Sequence, residues 1–137
     1  MTQRGGARSR GGAVVKLVAT LPKESVRAGR ATERQVLVGE SDGALGFAMR
    51  RFIMGPGGGM PRHTNSVEHE QYVLRGKARV GIGDRVFEVG PDTALFIPAG
   101  EPHYYEVIEA PFEFLCVVPS GPDRIEIAPA EAADSER

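Results

Sequence analysis

The sequence predicts an all-β fold in which short antiparallel strands form a barrel or a sandwich. Strand-length runs of Val, Ile, Phe, Leu and Tyr recur at intervals of about 8 to 12 residues, a spacing typical of such folds. Gly and Pro supply 18 and 10 of the 137 residues, a turn-rich composition without a repeat. No long segment has helical periodicity, because the nearest candidate, VRAGRATERQV, is interrupted by Gly29 and lacks an apolar stripe.

Seven segments are predicted to be strands, and turn signals separate them. In chain order they are RQVLVG at 34–39, GFAMRRFIM at 46–54, HEQYVLRGKARVGI at 69–82, RVFEVG at 85–90, TALFIP at 93–98, HYYEVI at 103–108 and FEFLCVVP at 112–119. The breaks include GPGGGMP at 55–61, GD at 83–84, AGEP at 99–102 and EAP at 109–111. Because a chain of this length fits one domain, we predict a barrel at 13–128, a flexible leader at 1–12 and a disordered tail at 129–137.

The charges nearly cancel, which bears on the partners of the protein. The formal net charge is −1 and the isoelectric point is about 6.3, so no basic field favours nucleic acid or an anionic membrane as a partner. Cys116 is the single cysteine and cannot form an internal disulfide. No stretch approaches the ~18 apolar residues of a membrane span, and the start of the chain lacks the apolar core of a secretory signal. These features predict a cytoplasmic protein.

The chain contains three histidines, and each stands in a distinctive setting. His63 follows the glycine-rich turn at 57–59, His69 begins a predicted strand, and His103 follows PAGEP. Neutral imidazole is a good ligand for first-row divalent metals, and ligands from three strands converge only inside a barrel. A single histidine in a strand is more often a structural residue, but three in these settings predict one divalent metal ion per chain.

Alternation along each strand predicts which side chains share a face with the histidines. The groups that share a face are His63 with Asn65, His69 with Gln71 and Val73, and His103 with Tyr105. In the last predicted strand one face carries Phe112, Phe114, Cys116 and Val118, and the other carries Glu113, Leu115 and Val117. Periodicity alone does not tell which of these two faces is interior.

Two ordered motifs resemble those of the cupin superfamily. The first motif is matched by Gly57, His63, Asn65, His69 and Gly76, and the second, Pro-x-Gly-x-x-His, by Pro98, Gly100 and His103 with Gly90 before it. The stretch HTNSVEHEQYVLRG is similar to the small cupins that replace the motif glutamate with histidine, a four-histidine subgroup that includes manganese-containing members. The resemblance covers about 34–128 and implies a single-domain cupin, a jelly-roll barrel or double-stranded β-helix.

The chain departs from the first motif at Asn65, where the family has its second histidine. The resemblance therefore implies His63, His69 and His103 as ligands of Mn, Fe, Cu, Ni or Zn. It leaves Asn65 open as a fourth ligand, a donor to a metal-bound water or a structural residue. Three neutral imidazoles leave the +2 charge of the ion uncompensated, which predicts a small anionic substrate.

Further residues are candidates for the surroundings of the metal. Gln71 is a candidate hydrogen-bond partner for a ligating imidazole, with simple packing as the alternative. If the Phe114 face is interior, as in similar cupins, the candidate pocket walls are Tyr105, Phe114, Cys116 and Val118, with ordinary core as the alternative. Cys116 is also a candidate redox-sensitive thiol, although buried cysteines are usually inert.

Three functions stay open at this point. The leading hypothesis is a metal-dependent dioxygenase or other oxidoreductase that acts on a small enolisable or aromatic chelating substrate. The alternatives are a zinc-dependent cyclase or isomerase resembling polyketide cyclases, and a cupin that binds a small ligand without catalysis. Because small cupins commonly pair and sheet edges need cover, we expect a homodimer.

Overall fold

The computed structural model describes residues 12–128 of the chain. Apart from Gly12, the predicted leader lies outside these residues, as does the predicted tail, so both stay predictions. The described residues form eight strands, β1 Glu24–Ser25, β2 Arg30–Val38, β3 Phe47–Asn65, β4 His69–Ile82, β5 Arg85–Val89, β6 Ala94–Ile97, β7 His103–Pro119 and β8 Ile125–Ile127. Two short 3-10 turns, Val18–Thr20 and Glu40–Asp42, are the helical elements within 12–128. The predicted all-β class is confirmed.

The strands form one antiparallel sheet in which β7 is central. The order is β1-β2-β3-β7-β4-β5, and β6 pairs with β4 while β8 pairs with β3. In the registers, His63 of β3 lies opposite His103 of β7, and Ile82 of β4 also lies opposite His103. The long strands β3, β4 and β7 therefore bring distant parts of the sequence to the same end of the barrel.

Two of the predicted breaks are wrong, because strands run through them. The segment 55–61 lies inside β3, and 109–111 lies inside β7. The pairing of β3 with β7 shifts register between Met54 and Gly59, which is how an irregular stretch remains part of a strand. Gly59 has a φ of 155°, and a side chain there would overlap the backbone carbonyl of Tyr105. The glycines thus permit close approach of two strands where the sequence pattern indicates a turn.

The core lies on the Phe114 face of β7. Phe112, Phe114, Cys116 and Val118 are all buried, so this face is interior as in similar cupins. Tyr105 of the same strand and residues of other strands complete the core, the latter chiefly Met54, Met60, Val73, Ala78, Val80 and Ile97. On the opposite face of β7, Glu113 is an exception, since its carboxylate is buried as well.

Candidate metal centre

The structure brings the three histidines together. They come from three strands, His63 near the end of β3, His69 at the start of β4 and His103 at the start of β7. The ring centroid of His103 lies 4.2 Å from that of His63 and 6.0 Å from that of His69. All three side chains are buried, with exposed fractions of 3, 6 and 1% for His63, His69 and His103. Because buried polar groups are almost always hydrogen-bonded, each imidazole nitrogen in this position needs a partner.

Backbone carbonyls orient two of the imidazoles. Nδ1 of His63 lies 2.8 Å from the carbonyl oxygen of Pro61, and Nδ1 of His103 lies 2.9 Å from that of Glu101. Because a carbonyl oxygen only accepts, each Nδ1 carries the proton and each Nε2 keeps a lone pair. Nε2 of His103 and Nε2 of His69 are buried without a hydrogen-bond partner. This is the arrangement in which ligating histidines are usually held.

Burial also keeps the imidazoles neutral. Loss of hydration lowers the pKa of His103 to about 3 and that of His69 to about 4, and it lowers the pKa of His63 as well. Neighbouring positive charge adds to the effect, from His63 on His103 and from Arg50 on His69. The three rings are therefore uncharged near pH 7, which is the state that binds a metal.

Asn65 lies beside the histidines with its amide held in one orientation. Its Nδ2 donates to Oδ2 of Asp123 at 2.9 Å, while its Oδ1 is buried without a well-formed hydrogen bond. Oδ1 is therefore free to act as an oxygen ligand. Asp123 also accepts from the backbone N–H of Ser66 at 3.0 Å, which fixes the carboxylate.

Asp123 is a residue of the site that the sequence pattern does not reveal. Its Oδ2 lies 3.9 Å from Nε2 of His69, and it belongs to the segment between β7 and β8, outside both cupin motifs. A carboxylate so close to the histidines means that the charge of a bound cation would not be wholly uncompensated. Asp123 would reduce the expected +2 charge, whereas Arg50 on the same cavity lining adds positive charge, so the expectation stays a prediction.

The donor set fits a metal, although the rings are not closed around one. Within 12–128, no three His, Cys, Asp or Glu side chains already stand as a group that could hold an ion. Yet the buried atoms without a partner include Nε2 of His69, Nε2 of His103 and Oδ1 of Asn65, and all three residues line one cavity. Leaving each of these atoms unpaired costs about 1 to 3 kcal/mol, and side-chain rotation can close the group around an ion.

The cavity has a volume of about 50 Å³, a polar end and an apolar wall. The polar side chains are His63, Asn65, His69, Gln71, His103 and Asp123, with Arg34 and Arg50 beside them. The apolar wall includes Phe52, Met54, Met60, Tyr105 and Phe114. Two of the four candidate wall residues, Tyr105 and Phe114, are thus among the residues that line the cavity. The sequence does not predict Arg34, Arg50 or Phe52 as lining residues, because alternation alone does not show which face of 34–39 or of 46–54 points inward.

Three of the predicted pocket residues have other surroundings. Gln71 accepts from the Tyr105 hydroxyl at 3.0 Å and approaches the Cys116 sulfur with Nε2 at 3.5 Å. It does not anchor His63 or His103, whose Nδ1 atoms already bond to carbonyl oxygens. Cys116 and Val118 are buried but do not line the cavity. The lining residues Gln71 and Arg50 cover the sulfur of Cys116 instead. Cys116 and Val118 therefore belong to the core.

No helix within 12–128 is long and apolar enough to cross a membrane. The family model of the cupin domain matches residues 50–118, which is half of the chain and includes all three histidines. The chain therefore belongs to the cupin family, and its fold is the jelly-roll barrel of a single-domain cupin. Cupin domains commonly bind a metal, in keeping with the buried donors of this site.

Solved structures give more specific similarities. The chain is similar to the polyketide cyclase RemF from Streptomyces resistomycificus, with 33% identity over 87% of this chain and 88% of that chain and a TM-score of 0.77. It is also similar to a cupin-2 domain protein from Rhodospirillum rubrum, with 26% identity, coverage of 90% and 84%, and a TM-score of 0.70. A cupin 2 domain-containing protein from Halorhodospira halophila has 32% identity, coverage of 74% and 72%, and a TM-score of 0.68. The comparison with curated proteins gave no match.

Proposed function

We propose that the protein is a metal-dependent cupin enzyme that cyclises a small enolisable β-dicarbonyl compound of the polyketide type. The observation that carries the proposal is a set of neutral, potentially metal-binding atoms without hydrogen bonds, Nε2 of His69, Nε2 of His103 and Oδ1 of Asn65. They lie at one end of a cavity with an aromatic wall. A divalent metal held by these residues and His63 would supply Lewis-acid polarisation of a carbonyl oxygen.

The wall of the cavity is suited to a flat, conjugated molecule. The ring of Phe114 stacks with Phe52 at a centroid distance of 5.1 Å and with Tyr105 at 5.2 Å, with interplanar angles of 11° and 15°. Such a wall shields a substrate from water and holds a planar enol by dispersion and stacking. Burial raises the pKa of the Tyr105 hydroxyl, and that hydroxyl donates to Gln71, so Tyr105 stays neutral and serves as a wall.

The similarity to RemF favours cyclisation over oxygenation as the reaction. The sequence alone favours an oxygenase, and one cupin scaffold hosts many reactions. The chain shares 33% identity with a polyketide cyclase over most of both chains. This similarity is the reason for preferring a cyclase to an oxygenase. In the proposed reaction an enol carbon forms a carbon–carbon bond with a ketone carbon of the same molecule, and water leaves. No oxidant is consumed.

The test separates the three functions by atom balance. Protein purified without a histidine tag and loaded with zinc is incubated under argon with a linear poly-β-ketone that carries an aryl group. Products are followed by mass spectrometry. We expect a product lighter by one water, and we expect the His103→Ala variant to form none. A parallel incubation in air with the iron-loaded protein tests oxygen chemistry, because zinc is redox-inactive. Oxygen added to the product there, without cyclisation by the zinc-loaded protein, would instead establish the oxygenase, and saturable binding without turnover in either sample would establish a ligand-binding cupin.

We also propose that two copies pair in solution. Phe47 and Phe96 are 68% and 56% exposed, so the outer surface of the barrel carries apolar side chains that a second copy could cover. Light scattering should give about twice the 14.7 kDa mass of one chain. A mass equal to one chain at working concentration would contradict this proposal.

A further inference from the structure

Arg50 is a charged side chain at an inward-facing position of β3. In the antiparallel pairing of β3 with β7, Arg50 lies opposite Cys116, and Phe52 lies opposite Phe114. Residues paired in this way project from the same face of a sheet. Since Cys116 and Phe114 are buried, Arg50 points into the barrel, and it lines the cavity that holds the histidines.

The guanidinium of Arg50 has no carboxylate partner among residues 12–128. Its Cζ lies 5.2 Å from the ring centroid of Phe52, and Nη2 lies 3.4 Å from the sulfur of Cys116. Its Nε is buried and makes no hydrogen bond. A buried, charged donor left in this state is costly, so its position calls for a partner that is not part of the described chain.

The next residue along the chain shows the contrast. Nη2 of Arg51 lies 2.6 Å from Oε1 of Glu113, and Nη1 lies 2.8 Å from Oε1 of Gln35. Two adjacent arginines thus point to opposite faces of β3, and among residues 12–128 only the outward one has a carboxylate partner. The inward arginine, Arg50, faces the cavity, where a bound ligand can provide a carboxylate.

The charge of Arg50 lies close to the histidines. Next to desolvation, it is the largest influence that lowers the pKa of His69. Arg34, on the neighbouring strand β2, lines the same cavity and also has a buried Nε without a partner. Arg34 already forms an ion pair with Glu24 at 3.0 Å, so Arg50 is the arginine left for a ligand.

We propose that Arg50 forms a carboxylate-binding subsite, and that the substrate is an aromatic or enolisable acid. Its carboxylate would lie on the guanidinium while its carbonyl or enol oxygen faces the three histidines. A guanidinium fork binds a carboxylate through two parallel hydrogen bonds, and stacking on Phe52 holds its plane in place. This subsite rests on the proposed function, because it names a second group of the same substrate.

The test compares two probes that differ in charge and hardly in shape, salicylate and its neutral amide, salicylamide. Calorimetry on the zinc-loaded wild type should show salicylate binding about tenfold or more tightly than salicylamide, as expected for one charge-assisted pair. Arg50→Gln should abolish this preference at unchanged zinc content. Arg50→Lys should keep an intermediate preference, because an ammonium has charge but no fork.

Arg85 provides the matched control. Its Cζ lies 5.0 Å from the ring centroid of Phe87, the same two-residue stacking arrangement, but on the exposed strand β5. Arg85→Gln should leave the preference for salicylate intact. A full preference in Arg50→Gln, or an equal loss in Arg85→Gln, would overturn the subsite. A preference that depends on Arg50 in the metal-free protein, together with no cyclisation by the zinc-loaded protein, would support the subsite and reject the proposed function.

Discussion

Two groups of buried polar side chains lie in this barrel, and they differ in whether their hydrogen bonds are complete. In the closed network of Gln35, Arg51 and Glu113, the arginine donates to both of the other side chains. The amide nitrogen of Gln35 donates in turn to the carbonyl oxygens of Val18 and Leu21, at 3.0 and 3.1 Å. No side-chain nitrogen or oxygen of this network is buried without a partner.

The open site of His63, Asn65, His69 and His103 is equally buried but incomplete. Two imidazole nitrogens and one amide oxygen make no hydrogen bond within 12–128. In a closed network, hydrogen bonds offset the free-energy cost of burying polar groups. In an open site that cost persists until a ligand binds. The comparison indicates that the first group stabilises the fold, whereas the second is held ready for a bound ion.

The largest effect should come from breaking the closed network. Glu113→Ala leaves the Arg51 guanidinium without its carboxylate in a mostly buried position, and we expect it to lower the free energy of unfolding by about 3 kcal/mol. Urea denaturation of the metal-free protein measures this. Zinc affinity should stay within about twofold of the wild type, because the network lies on the other face of β3. A large loss of zinc affinity in a folded Glu113→Ala protein would contradict the division between the two groups.

The next effect concerns the open site. His103→Ala removes one of three imidazoles and should weaken zinc binding at least 100-fold, equivalent to about 2.7 kcal/mol. The free energy of unfolding of the metal-free protein should change by only about 1 kcal/mol, since a partnerless buried nitrogen is removed together with the packing of the ring. Competition with a chelator measures the affinity, and urea denaturation with EDTA measures the stability. Unchanged zinc affinity would show that the ring is structural.

The sequence predicts a good part of this molecule, and the failures have a common physical cause. The strand pattern and the two motifs are enough for the all-β class, the cupin fold and the convergence of the three histidines. The turn signals at 55–61 and 109–111 do not end strands, because glycine and proline mark local irregularity and do not show whether neighbouring strands continue to pair. Pairing is a tertiary property.

The same cause explains the residues of the site that the sequence did not reveal. Asp123 reaches the histidines only because β8 pairs with the end of β3, through contacts such as Asn65 with Ile125. Arg50 reaches the cavity because of its register opposite Cys116. Neither position belongs to a motif, and each depends on a pairing between segments that are far apart in the sequence.

The smallest effect should come from Asn65, whose amide is oriented by Asp123. Asn65→Ala removes one oxygen donor but leaves three imidazoles, so zinc affinity should fall by no more than about tenfold. Asp123→Ala offers a second view of the same contact, because it removes the acceptor that turns Oδ1 toward the histidines. We expect a loss of similar size, measured by competition with a chelator.

Replacement of Asn65 by histidine sharpens the comparison further, because it completes the donor set with a stronger ligand. Imidazole outranks an amide oxygen for copper, nickel and zinc, whereas the preference is weak for manganese. Asn65→His should therefore raise affinity for zinc and nickel by about tenfold and change manganese affinity less. Parallel titrations of the wild type and the variant with the three metals measure this difference. If Asn65→Ala and His69→Ala lost zinc equally, the amide would be a ligand of the same rank as the histidines. If Asn65→His bound all three metals as the wild type does, position 65 would lie outside the coordination sphere, and the buried Oδ1 would need another explanation.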